Sequence, residues 1–139
     1  MEKDLLSSGA IAESIHLDLL TRASRTAKLG YWSLDVTNNT VFWSEEVYRI
    51  HGVSPKKFYP TLDNAIDFYH EDDREDVKLI IEKSIEKQKE FTFEARIVML
   101  DSQTVFVRAS GECLVNENGE VSSVFGIIQD ITERKKTET

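Results

Sequence analysis

The spacing of apolar residues along the chain changes repeatedly between a helical period and strict alternation. Residues 11–29 place an apolar side chain every three or four positions, which predicts an amphipathic helix, whereas residues 1–10 are polar and are expected to be flexible. Residues 32–36 then alternate and lead into Asn38-Asn39, a pair that favours a tight turn. We therefore expect a hairpin whose return strand covers residues 41–43.

The middle of the chain predicts three helices of different lengths. Ser44 precedes a short helical segment as a candidate N-cap, and Gly52 follows that segment as a stop. Both prolines lie in residues 53–69, which we interpret as a loop followed by a short helix that begins after Thr61. Residues 72–90 show an apolar stripe behind an Asp-x-x-Glu capping sequence, and they predict a long helix with one buried face.

Three alternating segments close the chain and set the fold class. They cover residues 91–100, 104–115 and 120–131, and the last two are joined by Asn118-Gly119, which is a strong hairpin signal. The order of one helix, two strands, several helices and three strands predicts an α+β domain. In such a domain an antiparallel sheet carries its helices on one face.

The opposite face of this predicted sheet also carries many apolar residues. A sheet with one solvated face shows a cleaner alternation of polar and apolar positions, so we expect something to cover the second face. The N-terminal helix is the candidate, alone or with a second copy of the protein, and its apolar stripe would then form a dimer contact. The residues assigned to the second face are Val98, Leu100, Phe106, Leu114, Val124 and Ile128, and the dimer-helix candidates are Ile11, Ile15, Leu19, Leu20 and Ala23.

Composition narrows the classes of function. A net charge of −8 argues against a surface for nucleic-acid phosphates, and the longest apolar runs fall far short of the ~20 residues that a membrane helix needs. The single cysteine, Cys113, permits no disulfide within the chain, which fits a reducing compartment. We therefore predict a cytoplasmic domain with no nucleic-acid partner and no direct membrane contact.

Three motifs follow one another along the chain: GYWSLDVTNNTVFWSEEVYRIHG at residues 30–52, HEDDREDV at 70–77 and GIIQDITERK at 126–135. In turn they resemble the first hairpin and its helix, the opening of the long helix, and the closing Asp-Ile-Thr motif of the PAS domain. That domain is a sensory module of histidine kinases and cyclic-dinucleotide signalling proteins. The resemblance covers roughly residues 28–136, and Glu71 departs from it because the family usually has proline there.

The resemblance implies a PAS domain at residues 30–131, with a five-stranded antiparallel sheet, helices on one face and the N-terminal helix on the other. Residues 132–139 would then begin a linker helix that leads to an effector such as a histidine kinase. From the residues themselves, Asp130 is a cap that accepts from a backbone N–H two or three residues on, while Glu133 reaches back to the Asp130 N–H. The expected relay residues are Asp130, Ile131, Thr132 and Glu133.

In the resembled family a ligand binds between the sheet and the helices. Small residues such as Ala95 and Ala109 leave room there, but bulky neighbours can equally close the core, and both interpretations remain open. The candidate pocket residues are Trp43, Tyr48, Ile50, Phe68, Ile81, Ile85, Phe93, Ala95, Ile97, Val107, Ala109 and Phe125.

No residue pattern names a cofactor. His70 lies near the long helix, where heme-binding relatives place a ligand, but it opens an Asp-rich turn and fits a loop or capping residue better. The long helix has no cysteine for a covalent flavin adduct, and Cys113 alternates with the apolar face of a strand. One cysteine and three scattered histidines predict no metal site, and we expect His51 to pair with the end of its helix. The cofactor is therefore unknown, with heme and a covalent flavin adduct not expected.

The sequence predicts a regulatory sensor and not an enzyme, since no set of catalytic residues is found. The main hypothesis is a homodimeric domain that binds a small ligand or a partner and relays a conformational change to a C-terminal effector in a larger protein. One alternative is a ligand-free homodimerisation or scaffold module. Another is a small α+β enzyme of cone-shaped fold, which the almost wholly apolar inward strand faces disfavour.

Overall fold

The computed structural model describes the backbone of residues 2–138 and the side chains of residues 9–138, so that Met1 and Thr139 of the predicted end segments lie outside the described residues. The elements follow the predicted order, and a further helix begins directly after the last strand. They are α1 (Glu2–Ala27), β1 (Leu29–Asp35), β2 (Thr40–Trp43), α2 (Glu45–His51), α3 (Leu62–Ile66), α4 (Glu71–Lys87), β3 (Phe91–Val98), β4 (Thr104–Val115), β5 (Val121–Asp130) and α5 (Thr132–Glu138).

One antiparallel sheet organises the fold. Its strand order β2-β1-β5-β4-β3 places the last strand, β5, in the middle, where it pairs with both β1 and β4. The inner face of the sheet is the face turned toward α2, α3 and α4, and it holds the hydrophobic core, in which Ile97, Val107 and Val124 are fully buried. The predicted α+β fold with a five-stranded sheet is confirmed.

The phase of β5 differs from the prediction by one residue. Val124 and Ile128, expected on the outer face, pack in the core, whereas Phe125, expected in the pocket, lies on the outer face and is 41% exposed. A shift of one residue exchanges the two faces because side chains alternate along a strand. Both phases of β5 carry apolar residues, so the pattern alone did not decide between them. Gly126 has the same position in the alternation as the buried Val124 and Ile128. A Cβ atom at Gly126 would lie 1.8 Å from the carbonyl oxygen of Ser110, so the two strands approach too closely there for a side chain.

Helix α1 is longer than expected and does not cover the outer face of its own chain. It begins at Glu2, ahead of the expected start at residue 11, and the added residues include good helix formers such as Glu, Lys and Leu. Apolar side chains of α1 and of the outer face are solvent-exposed, so the prediction that α1 packs over this face is wrong for the single chain. They include Ile11, Ile15, Leu17, Leu19 and Leu20 on α1 and Tyr31, Phe42, Leu114, Phe125 and Ile127 on the sheet.

The ends of the short helices largely follow the predicted signals. The Thr61 hydroxyl accepts from the Asn64 N–H, and the Asn64 side chain accepts from the Thr61 N–H, so α3 begins with a complete capping box. Gly52 ends α2 in the left-handed region with a φ of 73°. Ser44 precedes α2 as expected, but its hydroxyl accepts from the Tyr31 N–H and thereby ties α2 to β1.

Candidate ligand cavity and exit helix

A cavity of about 80 Å³ lies between the inner face of the sheet and helices α2, α3 and α4. Its walls are mainly aromatic and aliphatic, and they include three buried side chains with polar atoms, Trp43, His51 and Tyr69. Pockets for drug-sized ligands measure about 300–1,000 Å³, so this cavity holds only a few heavy atoms as it stands.

The predicted pocket residues fall into three groups. Four of them line the cavity: Trp43, Ile81, Phe93 and Ala109. Seven others pack in the core around it: Tyr48, Ile50, Phe68, Ile85, Ala95, Ile97 and Val107. Phe125 lies on the outer face because of the phase of β5. That any of these residues contacts a ligand stays a prediction.

The sequence reasoning missed lining residues on α2, α3 and β1. Val47 and His51 are four residues apart on the face of α2 that also carries the buried Ile50, so the helical period of this short segment contained the signal. Leu62 and Ile66 have the same spacing on α3 and form another part of the wall.

His51, which was expected to pair with the end of its helix, is a buried side chain at the cavity wall that bonds a carbonyl of that helix as a neutral ring. Its ring stacks on Trp43 with the two centroids 4.1 Å apart, and its Nδ1 lies 2.8 Å from the carbonyl oxygen of Val47. Because a carbonyl only accepts, Nδ1 carries the proton and Nε2 carries a lone pair. Burial lowers the pKa of His51 to about 4, although the hydrogen bond to Val47 acts in the opposite direction.

Contacts between aromatic rings position two further wall residues, Trp43 and Tyr69. Trp43 also stacks on Phe58 at 5.5 Å and meets Tyr48 edge-on at 5.3 Å, and Tyr69 meets Phe93 edge-on at 5.9 Å. Burial raises the pKa of the Tyr69 phenol, so this side chain keeps its proton at neutral pH. The three buried side chains of the wall that carry polar atoms, Trp43, His51 and Tyr69, are therefore all neutral at pH 7.

The two residues considered as cofactor ligands have structural contacts of their own. His70 precedes α4, and its Nδ1 accepts from the Asp72 N–H at 3.1 Å, so it caps the helix. The Cys113 sulfur is half-buried, 3.4 Å from the Ser84 hydroxyl oxygen. Within residues 9–138, whose side chains the structure describes, no three His, Cys, Asp or Glu side chains gather in a way that would hold a metal ion. The same range contains no helix long and apolar enough to cross a membrane.

The exit helix α5 follows β5 with a single residue, Ile131, between them. Asp130 Oδ1 accepts from the Thr132 N–H at 2.9 Å, which is the contact expected of the cap. Glu133 was expected to reach back to the Asp130 N–H, but that N–H instead donates to the carbonyl of Lys28 at 3.0 Å. Only one of the two expected capping bonds is therefore present at α5. The Asp130 N–H instead connects the start of this helix to Lys28, the residue that follows α1.

Strand β4 fixes the first turn of α5. Ile131 is buried, and its N–H donates to the carbonyl of Phe106 at 2.7 Å. The Phe106 N–H in turn donates to the Thr132 hydroxyl oxygen at 3.1 Å. These paired bonds make the start of the helix depend on the position of the sheet.

An exposed cluster of charges fastens the next turn of α5 to β3. A carboxylate oxygen of Glu94 lies 2.8 Å from the Arg134 guanidinium, and the other lies 2.7 Å from the Lys135 ammonium. Hydrogen bonding from Lys135, and then from Arg134, lowers the pKa of Glu94. Because the cluster is solvent-exposed, salt screens it.

Comparison with known proteins identifies the family. A family model described as the PAS fold matches residues 40–128, which is more than half of the chain. The chain belongs to the PAS-fold family. The family resemblance drawn from the three sequence motifs is thereby confirmed.

Two curated relatives of this PAS domain are bacterial signalling proteins. A blue-light-activated histidine kinase of Brucella anthropi is 31% identical over 121 residues, which cover 87% of this chain and 24% of the relative. The probable diguanylate cyclase DgcE of Escherichia coli K12 is 24% identical over 120 residues, which cover 86% of this chain and 11% of the relative. The PAS domain thus spans only a minor part of both.

A solved structure shows the same fold. The sensory box histidine kinase/response regulator from Burkholderia thailandensis E264 matches with a TM-score of 0.71 and 23% sequence identity. The match covers 86% of this chain and 88% of that chain. The overall fold is therefore one that another protein chain also adopts.

Proposed function

We propose that this PAS domain is the sensory domain of a cytoplasmic two-component or related signal-transduction protein. A small ligand, or a partner, changes the position of β5. The exit helix α5 then passes that change to an effector such as a histidine kinase. The domain itself carries out no catalysis in this proposal.

The observation that supports the relay is that β5 borders the cavity and then leads into the exit helix. Ile128 lines the cavity, pairs with the lining residue Ala109 and lies two positions before the Asp130 cap. Only Gln129 separates Ile128 from Asp130, so a shift of β5 at Ile128 also moves the residue that caps α5. A ligand can bias such a shift by no more than the difference between its affinities for the two positions.

The names of the relatives support the choice of effector. One is called a histidine kinase and the other a probable diguanylate cyclase, and in each the matched region is a minor part of the protein. We propose that this chain is joined to an effector in the same way. Although one relative is called blue-light-activated, helix α4 contains no cysteine here, and our proposal does not include a covalent flavin adduct or heme.

Homodimerisation is the second part of the proposal, and it rests on exposed apolar surface. Helix α1 and the outer face of the sheet each present apolar side chains to solvent. A second copy could place its α1 along this outer face and bury both surfaces. If the cavity binds nothing, the same dimer would serve as a scaffold that only aligns the two exit helices.

The relay is tested in the protein that joins this domain to its effector. Asp130→Ala removes the acceptor of the cap, so the domain should stay folded while the effector output no longer responds to the signal. Glu133→Ala is the matched control, because the carboxylate of Glu133 is exposed and makes no bond to the Asp130 N–H. Regulation that survives in Asp130→Ala would contradict the proposed relay.

The dimer is tested by removing residues 1–28. The truncated chain should sediment as a monomer at concentrations where the full chain sediments as a dimer. A dimer that persists without these residues would contradict the role proposed for α1.

A further inference from the structure

Three buried polar groups on the cavity wall have unused hydrogen-bonding capacity. One is the indole N–H of Trp43, which has no hydrogen-bond partner among the described residues. The His51 ring is 3% exposed and uses Nδ1 on the Val47 carbonyl, and no group in residues 9–138 hydrogen-bonds its Nε2. The Tyr69 side chain is also buried, and its hydroxyl has no hydrogen-bond partner within the same range.

All three groups border open space. No fully enclosed side-chain nitrogen or oxygen atom among the described residues lacks a hydrogen-bond partner, so Nε1 of Trp43, Nε2 of His51 and the Tyr69 hydroxyl are not fully enclosed. The cavity is the open space that these residues line. An unmatched polar atom in such a place is costly unless a bound molecule or water satisfies it.

The tautomer of His51 decides which partner fits. The bond from Nδ1–H to Val47 leaves Nε2 as an acceptor, so the matching molecule must supply a donor. The hydroxyl of Tyr69 can donate as well as accept. The indole N–H of Trp43 only donates. A hydroxyl group has both the donor that Nε2 needs and an acceptor that the Tyr69 O–H or the Trp43 N–H can use.

The rest of the wall limits the charge and size of the molecule. The cavity is lined by no Asp, Glu, Lys or Arg among the described residues, so an ion entering it would lose its hydration without gaining an opposite charge. An apolar protein cavity of about 150 Å³ holds benzene. The cavity here is about 80 Å³, which corresponds to a smaller molecule.

We infer that the cavity binds a small neutral alcohol, with its hydroxyl on Nε2 of His51 and on the Tyr69 hydroxyl and its short apolar chain against the aromatic and aliphatic wall. This inference rests on the ligand-binding part of the proposed function. A molecule of roughly three to four heavy atoms fits the available room. The limited binding free energy per heavy atom keeps the Kd of such a ligand in the micromolar to millimolar range.

Two isomeric probes test the inference on the full chain. 1-Propanol donates a hydrogen bond, whereas ethyl methyl ether has the same atoms and only accepts. Titrations followed by NMR in sealed tubes should give saturable shifts of the Trp43 indole and Ala109 methyl signals, with 1-propanol binding about tenfold more tightly than the ether. Equal affinities, or no saturable shift with 1-propanol, would overturn the inference.

Variants locate the donor contact. His51→Phe keeps an aromatic ring beside Trp43 but removes the acceptor, so the two probes should bind with equal affinity. Tyr69→Phe is a second variant that removes only a hydroxyl. It should weaken the binding of both probes, because each has an oxygen that accepts from the Tyr69 O–H. A preference for the alcohol that persists in a folded His51→Phe, or affinities that Tyr69→Phe leaves unchanged, would overturn the inference. The relay through α5 does not depend on this outcome, since it is tested separately by Asp130→Ala.

Discussion

The two faces of the sheet contain similar apolar residues, but the chain treats them differently. On the inner face Ile97 and Val107 are fully buried beneath α2, α3 and α4, whereas on the outer face Phe125 and Ile127 are 41% and 46% exposed. Hydrophobicity therefore does not decide which face becomes the core. The decisive factor is which face the connecting helices reach, and the other face remains available to a second molecule.

The largest expected effect comes from truncating an isoleucine on each face. Ile97→Ala should lower the free energy of unfolding by about 2–5 kcal/mol, because it deletes fully buried methyl groups and leaves a cavity. Ile127→Ala is the matched control on the outer face and should cost less than about 1 kcal/mol in a monomer. Urea denaturation at low protein concentration measures both. Equal losses would show that the outer face is as well packed as the inner one.

Acidification should weaken the inner face selectively through His51. Because its pKa is about 4 in the folded state and 6.5 for an unperturbed histidine, the unfolded chain binds more protons between these values. The contribution of neutral His51 to the free energy of unfolding amounts to about 3 kcal/mol. It is fully present above pH 6.5 and is lost as the pH falls toward 4. His51→Phe should remove this pH dependence.

A second histidine supplies the control for that pH profile. His16 lies on the exposed surface of α1, so His16→Gln should keep the wild-type pH dependence of unfolding between pH 4 and 6.5. A wild-type unfolding free energy that does not change over this range would contradict the buried, neutral state of His51.

A smaller effect is expected at the start of the exit helix. Asp130→Ala should cost about 1 kcal/mol of stability, since one capping bond is lost. Hydrogen exchange should become faster in α5 while the amides of β3 and β4 retain their protection. Faster exchange throughout the sheet would mean that Asp130 supports the whole fold and not the helix start alone.

The smallest effect is expected from the charges that fasten α5 to β3. Glu94→Gln should increase fraying of α5 at low salt, and the difference from wild type should vanish at high salt because the pairs are exposed. Amide exchange of α5 at two salt concentrations measures this. A difference that persists at high salt would contradict the screened, surface character of the cluster.

Much of the fold was predictable because local signals and global structure agree. The hairpin at Asn38-Asn39, the capping residue Thr61, the stop at Gly52 and the alternation in β3 each match the structure. In each case the signal depends on backbone geometry or on a period that a few neighbouring residues determine. The order of the elements then limits the chain to one sheet with helices on one face.

The candidate site was less predictable because it depends on contacts between distant segments. Both phases of β5 are apolar, and the approach of Gly126 to Ser110, which only the folded pairing reveals, distinguishes them. His51 has an ordinary helix-end position in sequence, yet the packing of Trp43 and Phe68 around it makes it a buried cavity residue. Local sequence does not show which polar side chain becomes buried when distant segments pack against it.

The central claim is that the contents of the cavity control the exit helix through β5. Ala109→Val adds methyl groups to the cavity wall opposite Ile128, whereas Ala95→Val adds the same groups to the inner face at a residue that does not line the cavity. The direct test is hydrogen exchange of the α5 amides in both variants. We predict that exchange in α5 changes in Ala109→Val and stays at the wild-type rate in Ala95→Val. Equal α5 exchange in the two variants would contradict the claim.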